Sequence, residues 1–246
     1  MEQLILSLAP APPPSLDNFF AGANAGVIHA LRLLAQDRGE PSIHLWGPAG
    51  SGRTHLLQAV AAAVAAAGGA VTWAAGAGTA GAGAGSAVAA GASAAAGRSS
   101  AAAADPAGTS RLVICDDVDE LDDAQQLHVF AVIDAARREG SRILTAGLQP
   151  ARELALRDDL RTRLAQSLGL AVVPLSDEQK RAAVAAHAAD RGMPLAPEIV
   201  DYVTARVRRD MGTLMAVVDA LDRYSLSAKR PLSVPLARDV LQRLEL

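Results

Sequence analysis

The sequence predicts an α/β nucleotide-binding domain with a five-stranded parallel sheet, followed by a small all-helical domain. Three observations predict it. Five apolar runs lie near 42–46, 70–74, 111–115, 141–145 and 170–174, and helix-like stretches separate most of them. Such alternation favours parallel strands covered by helices on both faces. Residues 47–54 read GPAGSGRT, between the first apolar run and a helix-like stretch from His55 to Ala67. After Pro174 the alternation stops and only helical patterns follow.

Taken in order, residues 1–8, MEQLILSL, form a short apolar segment. Residues 9–15, APAPPPS, make a stiff tether, because proline fixes φ and cannot join a strand or helix interior. At ~3.1 Å per residue this tether spans on the order of 20 Å. The α/β domain is assigned to 16–174. Asn24 to Gln36 carries a helical pattern, which Gly39-Glu40-Pro41 ends. Residues 75–110 are nearly all Ala, Gly and Ser. They hold too few large apolar groups to offset ordering entropy, so a mobile or weakly helical insertion is expected there. Residues 175–246 form the helical domain. Ser176-Asp177-Glu178-Gln179 has capping-box form and opens a helix running towards Arg191, with Gly192 as its stop. Ala196-Pro197 opens the next, with Pro in the first turn. A third spans about Asp210–Ser225 and a last lies near Pro235–Leu244.

Composition narrows the function classes. A net charge of −3 and 3 % aromatic residues argue against a broad electrostatic or stacking footprint on nucleic acid. The lone Cys115 excludes an internal disulfide or a cysteine-based metal site, and its apolar neighbours mark it as a small buried hydrophobe. Glu2 replaces the basic cluster of a secretory leader, and Leu4–Leu8 is too short for its apolar core. No membrane span is expected, and the cytoplasm is the expected compartment.

The chemistry centres on Gly47, Pro48, Ala49, Gly50, Ser51, Gly52, Arg53 and Thr54, with His55 opening the helix behind them. Glycines let the backbone curl so that its N–H groups face phosphate oxygens, and the helix directs its positive end at the same anion. The pattern matches a P-loop, with Arg53 in the usual lysine position. Arg111 to Asp117 is an apolar strand ending in two carboxylates, the form of a Walker B segment. Asp116 is assigned to a Mg²⁺ shell together with the Thr54 hydroxyl, and Asp117 to positioning water. The alternative, an acidic turn capping the next helix, stays open. Thr145 ends the fourth run and is placed either near the γ-phosphate or simply as a strand-ending residue.

These motifs occur in the order of an AAA+ ATPase, and the chain most resembles the DnaA branch. Ser15-Leu16-Asp17-Asn18-Phe19-Phe20, with Asn24 behind it, resembles the S/TFDNFVxGxxN lead-in of that branch, which packs near adenine. The resemblance thus adds Phe19 and Asn24 to the nucleotide site. Thr145–Pro150 resembles its TSDxxP element. Asp159-Leu160-Arg161-Thr162-Arg163-Leu164 resembles DRLxSR, whose second arginine is the arginine finger, so Arg163 takes that role. Within the branch the chain is similar to the Hda-like regulators of replication initiation, which also carry Arg in the Walker A lysine position. Their sliding-clamp-binding peptide, QLxLPL, is matched by Gln3-Leu4-Ile5-Leu6-Ser7-Leu8 except at Ser7. Gln3, Leu4, Leu6 and Leu8 are its contact residues. Leu221-Asp222-Arg223-Tyr224-Ser225 also resembles their lid. One departure is Gly212, where the family's lid carries a sensor arginine.

The resemblance implies bound ADP or ATP with Mg²⁺, and a clamp-tethered protein that stimulates hydrolysis of DnaA-bound ATP. Its partners would be DnaA and the clamp, with DNA reached through the clamp; homo-oligomerisation is left open. An ATP-driven remodeller of helicase-loader type and a non-catalytic DnaA adaptor remain the alternatives. Arg53 keeps the positive charge of lysine but presents a planar fork, which alters transition-state geometry. The chain is therefore predicted to turn nucleotide over slowly on its own. A multiple-turnover ATPase assay should give a rate far below about 10 per second, the median for enzymes, and a rate near that figure refutes it.

Overall fold

The computed structural model describes residues 13–75, 111–193, 195–207, 211–228 and 230–244. The expected clamp-binding peptide, most of the tether and all of the Ala/Gly-rich insertion but Ala75 lie outside the described residues.

Strands β1 (Ser42–Trp46), β2 (Ala70–Ala75), β3 (Arg111–Cys115), β4 (Arg142–Gly147) and β5 (Leu168–Ala171) form one sheet. Its order is β2-β3-β4-β1-β5 and every pairing is parallel. The expected five-stranded α/β architecture is therefore present. Residues alternate between two buried faces, which is why these strands read as continuous apolar runs. Ile43, Leu45, Leu112, Ile114 and Leu144 face helices α1 (Ala25–Ala35) and α2 (Arg53–Ala66), packing on Leu31, Leu34, Leu56, Leu57 and Val60. On the other face, Val113, Cys115 and Ile143 meet Val129 and Ile133 of α3 (Asp123–Arg138) and Leu160 and Leu164 of α4 (Asp158–Leu164).

The fifth strand ends at Ala171, short of the predicted 170–174. The reason is Asn24. Its Nδ2–H donates to Val173 O and its Oδ1 accepts from Val173 N–H, both at 2.8 Å. The side chain thus takes the two backbone groups that would have continued a ladder. It also anchors the start of α1 to the far end of the sheet.

Helices α5 (Asp177–Asp190), α6 (Pro197–Arg206), α7 (Met211–Ala228) and α8 (Val234–Arg243) follow. Ser176 and Gln179 form the predicted capping box, and Gly192 has a φ of +71° after α5. The four helices share a core that includes Val184, Val203, Leu214, Val217, Leu221, Leu236 and Val240. Phe20 packs against that core while its neighbour Phe19 packs against the sheet-side core, so the lead-in segment stitches the two cores together.

Leu144 is fully buried in the middle strand. Leu144→Ala should cost about 2–5 kcal/mol of unfolding free energy, read from urea denaturation.

Candidate functional site

The P-loop leaves the carboxyl end of β1, where open parallel sheets hold their ligands. Gly50 and Gly52 sit at φ of +77° and +96°, a region open to glycine and costly for other residues. At Gly47 a Cβ would stand 2.4 Å from Val172 O, so no side chain fits. Gly47 N–H donates to Gly147 O at the end of β4, which pins the loop to the sheet. Gly52 is the N-cap of α2, with no side-chain cap and no acidic residue in the first turn. The first-turn N–H groups therefore stay available to an anion.

Among the described residues, the buried side-chain polar atoms without a partner are Ser51 Oγ, Arg53 Nη1 and Asp116 Oδ2. All three belong to the P-loop and the β3 tip. A buried polar atom without a partner costs roughly 1–3 kcal/mol, so their concentration here fits an anion and a cation better than a packed core. Arg53 is buried and its Nη2 lies 3.6 Å from Asp117 Oδ1. Asp116 is wholly buried, and its Oδ1 accepts from Asp117 N–H at 3.0 Å. Asp117 holds a left-handed backbone, φ 44° and ψ 52°, a strained state for a non-glycine residue. Burial and the neighbouring Asp116 charge raise its carboxyl above the usual range, while Arg53 opposes them.

A Mg²⁺ ion fits this donor set. Thr54 and Asp116 would hold it, and with so few protein ligands phosphate and water would complete its shell. When bound, it would neutralise charge on phosphate oxygens. No cluster of three or more His, Cys, Asp or Glu suited to a metal occurs among the described residues.

Four of the predicted nucleotide residues have protein partners of their own. Asn24 spends both ends of its amide on Val173. The His55 ring turns to the lead-in segment, with Nε2 on Ser15 O and the Phe19 ring 5.6 Å away. Phe19 in turn fills the space a Cβ at Gly52 would need, at 2.6 Å, and so packs on the loop from outside. Thr145 is fully buried, with its hydroxyl 2.9 Å from His44 Nδ1. His44 was missed by the sequence reading. Its Nε2 contacts Gln149 O, which can only accept, so Nδ1 of the neutral ring accepts the Thr145 proton. A histidine inside an apolar strand was the available signal.

Arg163 lies on α4 with its side chain about a third exposed, and donates to Asp134 Oδ1 at 2.8 Å. Asp134, on α3, also pairs with Arg138 and was not foreseen. Gly212 is exposed in the first turn of α7, so that position brings no sensor side chain. Cys115 is buried as expected, and burial pushes its thiol up to about 12.

Residues 177–241 match the family described as Hda, lid domain. Domain III of the Thermotoga maritima replication initiation protein DnaA is similar in structure, with a TM-score of 0.65 and 16 % identity over 95 % of this chain and 98 % of that one. The helical region thus resembles an Hda lid, and the chain as a whole has the fold of DnaA domain III. AMPPCP-bound DnaA from Aquifex aeolicus is also similar in structure, at a TM-score of 0.61 and 15 % identity over 89 % of this chain and 68 % of that one. An uncharacterized protein of Haemophilus influenzae is 27 % identical over 244 residues, covering 98 % of each chain. No helix among the described residues is long and apolar enough to cross a membrane.

Burial holds the His44 imidazole below its ordinary value of 6.5. The folded state therefore favours neutral His44, and the unfolded state binds its proton first as pH falls. Unfolding free energy should decline as pH drops below about 6.5 and level off once the folded pKa is passed. His44→Gln should flatten this slope, measured by urea denaturation between pH 8 and pH 5.

Proposed function

We propose that this chain regulates DnaA: tethered to the DNA-loaded sliding clamp, it stimulates hydrolysis of DnaA-bound ATP and so limits re-initiation. The observation that carries this proposal is the Hda-type lid on a DnaA-like body. Its own P-loop binds ADP or ATP with Mg²⁺. The partnerless Ser51, Arg53 and Asp116 atoms support that, as does AMPPCP in the Aquifex aeolicus DnaA. Bound nucleotide holds body and lid in docking geometry, a role suited to a site whose lead-in segment touches both cores.

Arg163 is the catalytic contribution. It extends from α4 into the nucleotide site of DnaA and neutralises charge that develops on the transferred phosphoryl group. An arginine finger of this kind contributes ~10³–10⁵ in rate. Docking exchanges the Asp134 contact for the phosphate, and until then Asp134 keeps the guanidinium ordered. Gln3, Leu4, Leu6 and Leu8 dock in a groove of the clamp as an extended peptide. The tether raises the effective concentration, so the contact with DnaA itself need not be strong. On this proposal the protein works in the cytoplasm and meets DNA through the clamp.

The test is a reconstitution with clamp, DNA and ATP-loaded DnaA. Arg163→Ala should bind clamp like wild type and lower the stimulated hydrolysis by at least ~10³-fold. Wild-type stimulation by this variant rejects the finger assignment, and stimulation that survives loss of residues 1–8 rejects the tether.

A further inference from the structure

Arg53 and Asp117 are paired, but incompletely. Their nearest contact, Arg53 Nη2 to Asp117 Oδ1, is 3.6 Å, and the second terminal guanidinium nitrogen, Nη1, is buried with no partner. A guanidinium is built to grip two oxygens of one anion. The nearest Asp117 oxygen stands beyond ordinary hydrogen-bond length. A buried cation held at such a distance is poorly compensated. A phosphate at the P-loop would present several oxygens to the same fork.

We propose that Asp117 is a built-in competitor for phosphate. In the nucleotide-free chain its carboxylate occupies Arg53. A diphosphate entering the loop takes the guanidinium over and releases the carboxylate. Nucleotide affinity is then set by an exchange between two anions for one cation, and freeing Asp117 is coupled to filling the loop. This rests on the P-loop being a nucleotide site, and it assigns Arg53 and Asp117 a joint role in setting affinity. Lysine at position 53 would lack the bidentate preference that lets phosphate displace the carboxylate.

The experiment is calorimetric titration of the full chain with ADP and Mg²⁺, for wild type, Asp117→Asn, Arg53→Gln and the double variant. Asp117→Asn should tighten ADP binding by about threefold to tenfold in the wild-type background. In the Arg53→Gln background the same change should have less than about a twofold effect, because no guanidinium remains to be released. Equal tightening in both backgrounds is simple charge repulsion and overturns the exchange, as does no tightening at all. Wild type that fails to bind ADP removes the nucleotide site itself, whereas wild type that binds with equal tightening removes only the exchange. The same cycle read on melting temperature without nucleotide is a second arm. Non-additive shifts support the pair, and additive shifts overturn it even where Arg53→Gln binds ADP too weakly to titrate.

Discussion

The close passage of the chain at Gly47 governs the arrangement. Its α-carbon lies so near Val172 O that a single methyl group would meet that oxygen at 2.4 Å. Wedged there, and held by its N–H on Gly147 O, the loop leaves β1 between the ends of β4 and β5. Two left-handed glycines then turn it so that α2 begins directly above the sheet edge. Phe19 closes the outside of the turn by lying where a side chain at Gly52 would be. Enlarging Gly47 would displace the chain after β5 and enlarging Gly52 the lead-in segment, whereas at Gly50 the constraint is its positive φ alone.

Electrostatics at the site are deliberately incomplete. Elsewhere, buried polar groups find partners: Asn24 satisfies Val173, Gln126 joins Leu121 O to Arg157 N–H, and His44 joins Thr145 to Gln149. At the P-loop and β3 tip a cation, a carboxylate and a hydroxyl are withdrawn from water with atoms left over. Protein interiors rarely tolerate that without a ligand, because each such atom forfeits its hydration for nothing. The strained backbone of Asp117 belongs to the same pattern, since strain collects where function needs it.

From that site, contacts extend through both faces of the sheet. The lead-in segment connects the nucleotide loop to the helical core through Phe19 and Phe20. On the opposite face, Gln126 of α3 receives Arg157 N–H at the start of α4, and Asp134 of α3 holds Arg163 near its end. Helix α4 is therefore tied to α3 near both of its ends, which gives the partly exposed Arg163 a defined direction. An ordered side chain loses less entropy in any later contact than a free one.

Local patterns were readable without coordinates. Apolar runs and their alternation gave the strands and the layered α/β class, and the Ser176–Gln179 cap and Gly192 bounded α5 because capping chemistry acts over three or four residues. The P-loop was legible for the same reason: its glycines answer to local φ. Side-chain partners were not. Asn24 meets Val173 across 149 residues of sequence, and nothing in either neighbourhood announces it. Thr145 faces His44 because β4 and β1 lie side by side in one register, and Arg163 finds Asp134 because α3 and α4 pack on one face. Periodicity and turn chemistry are properties of short segments. Which polar groups share a buried space depends on strand order and helix packing, and only the folded chain decides those.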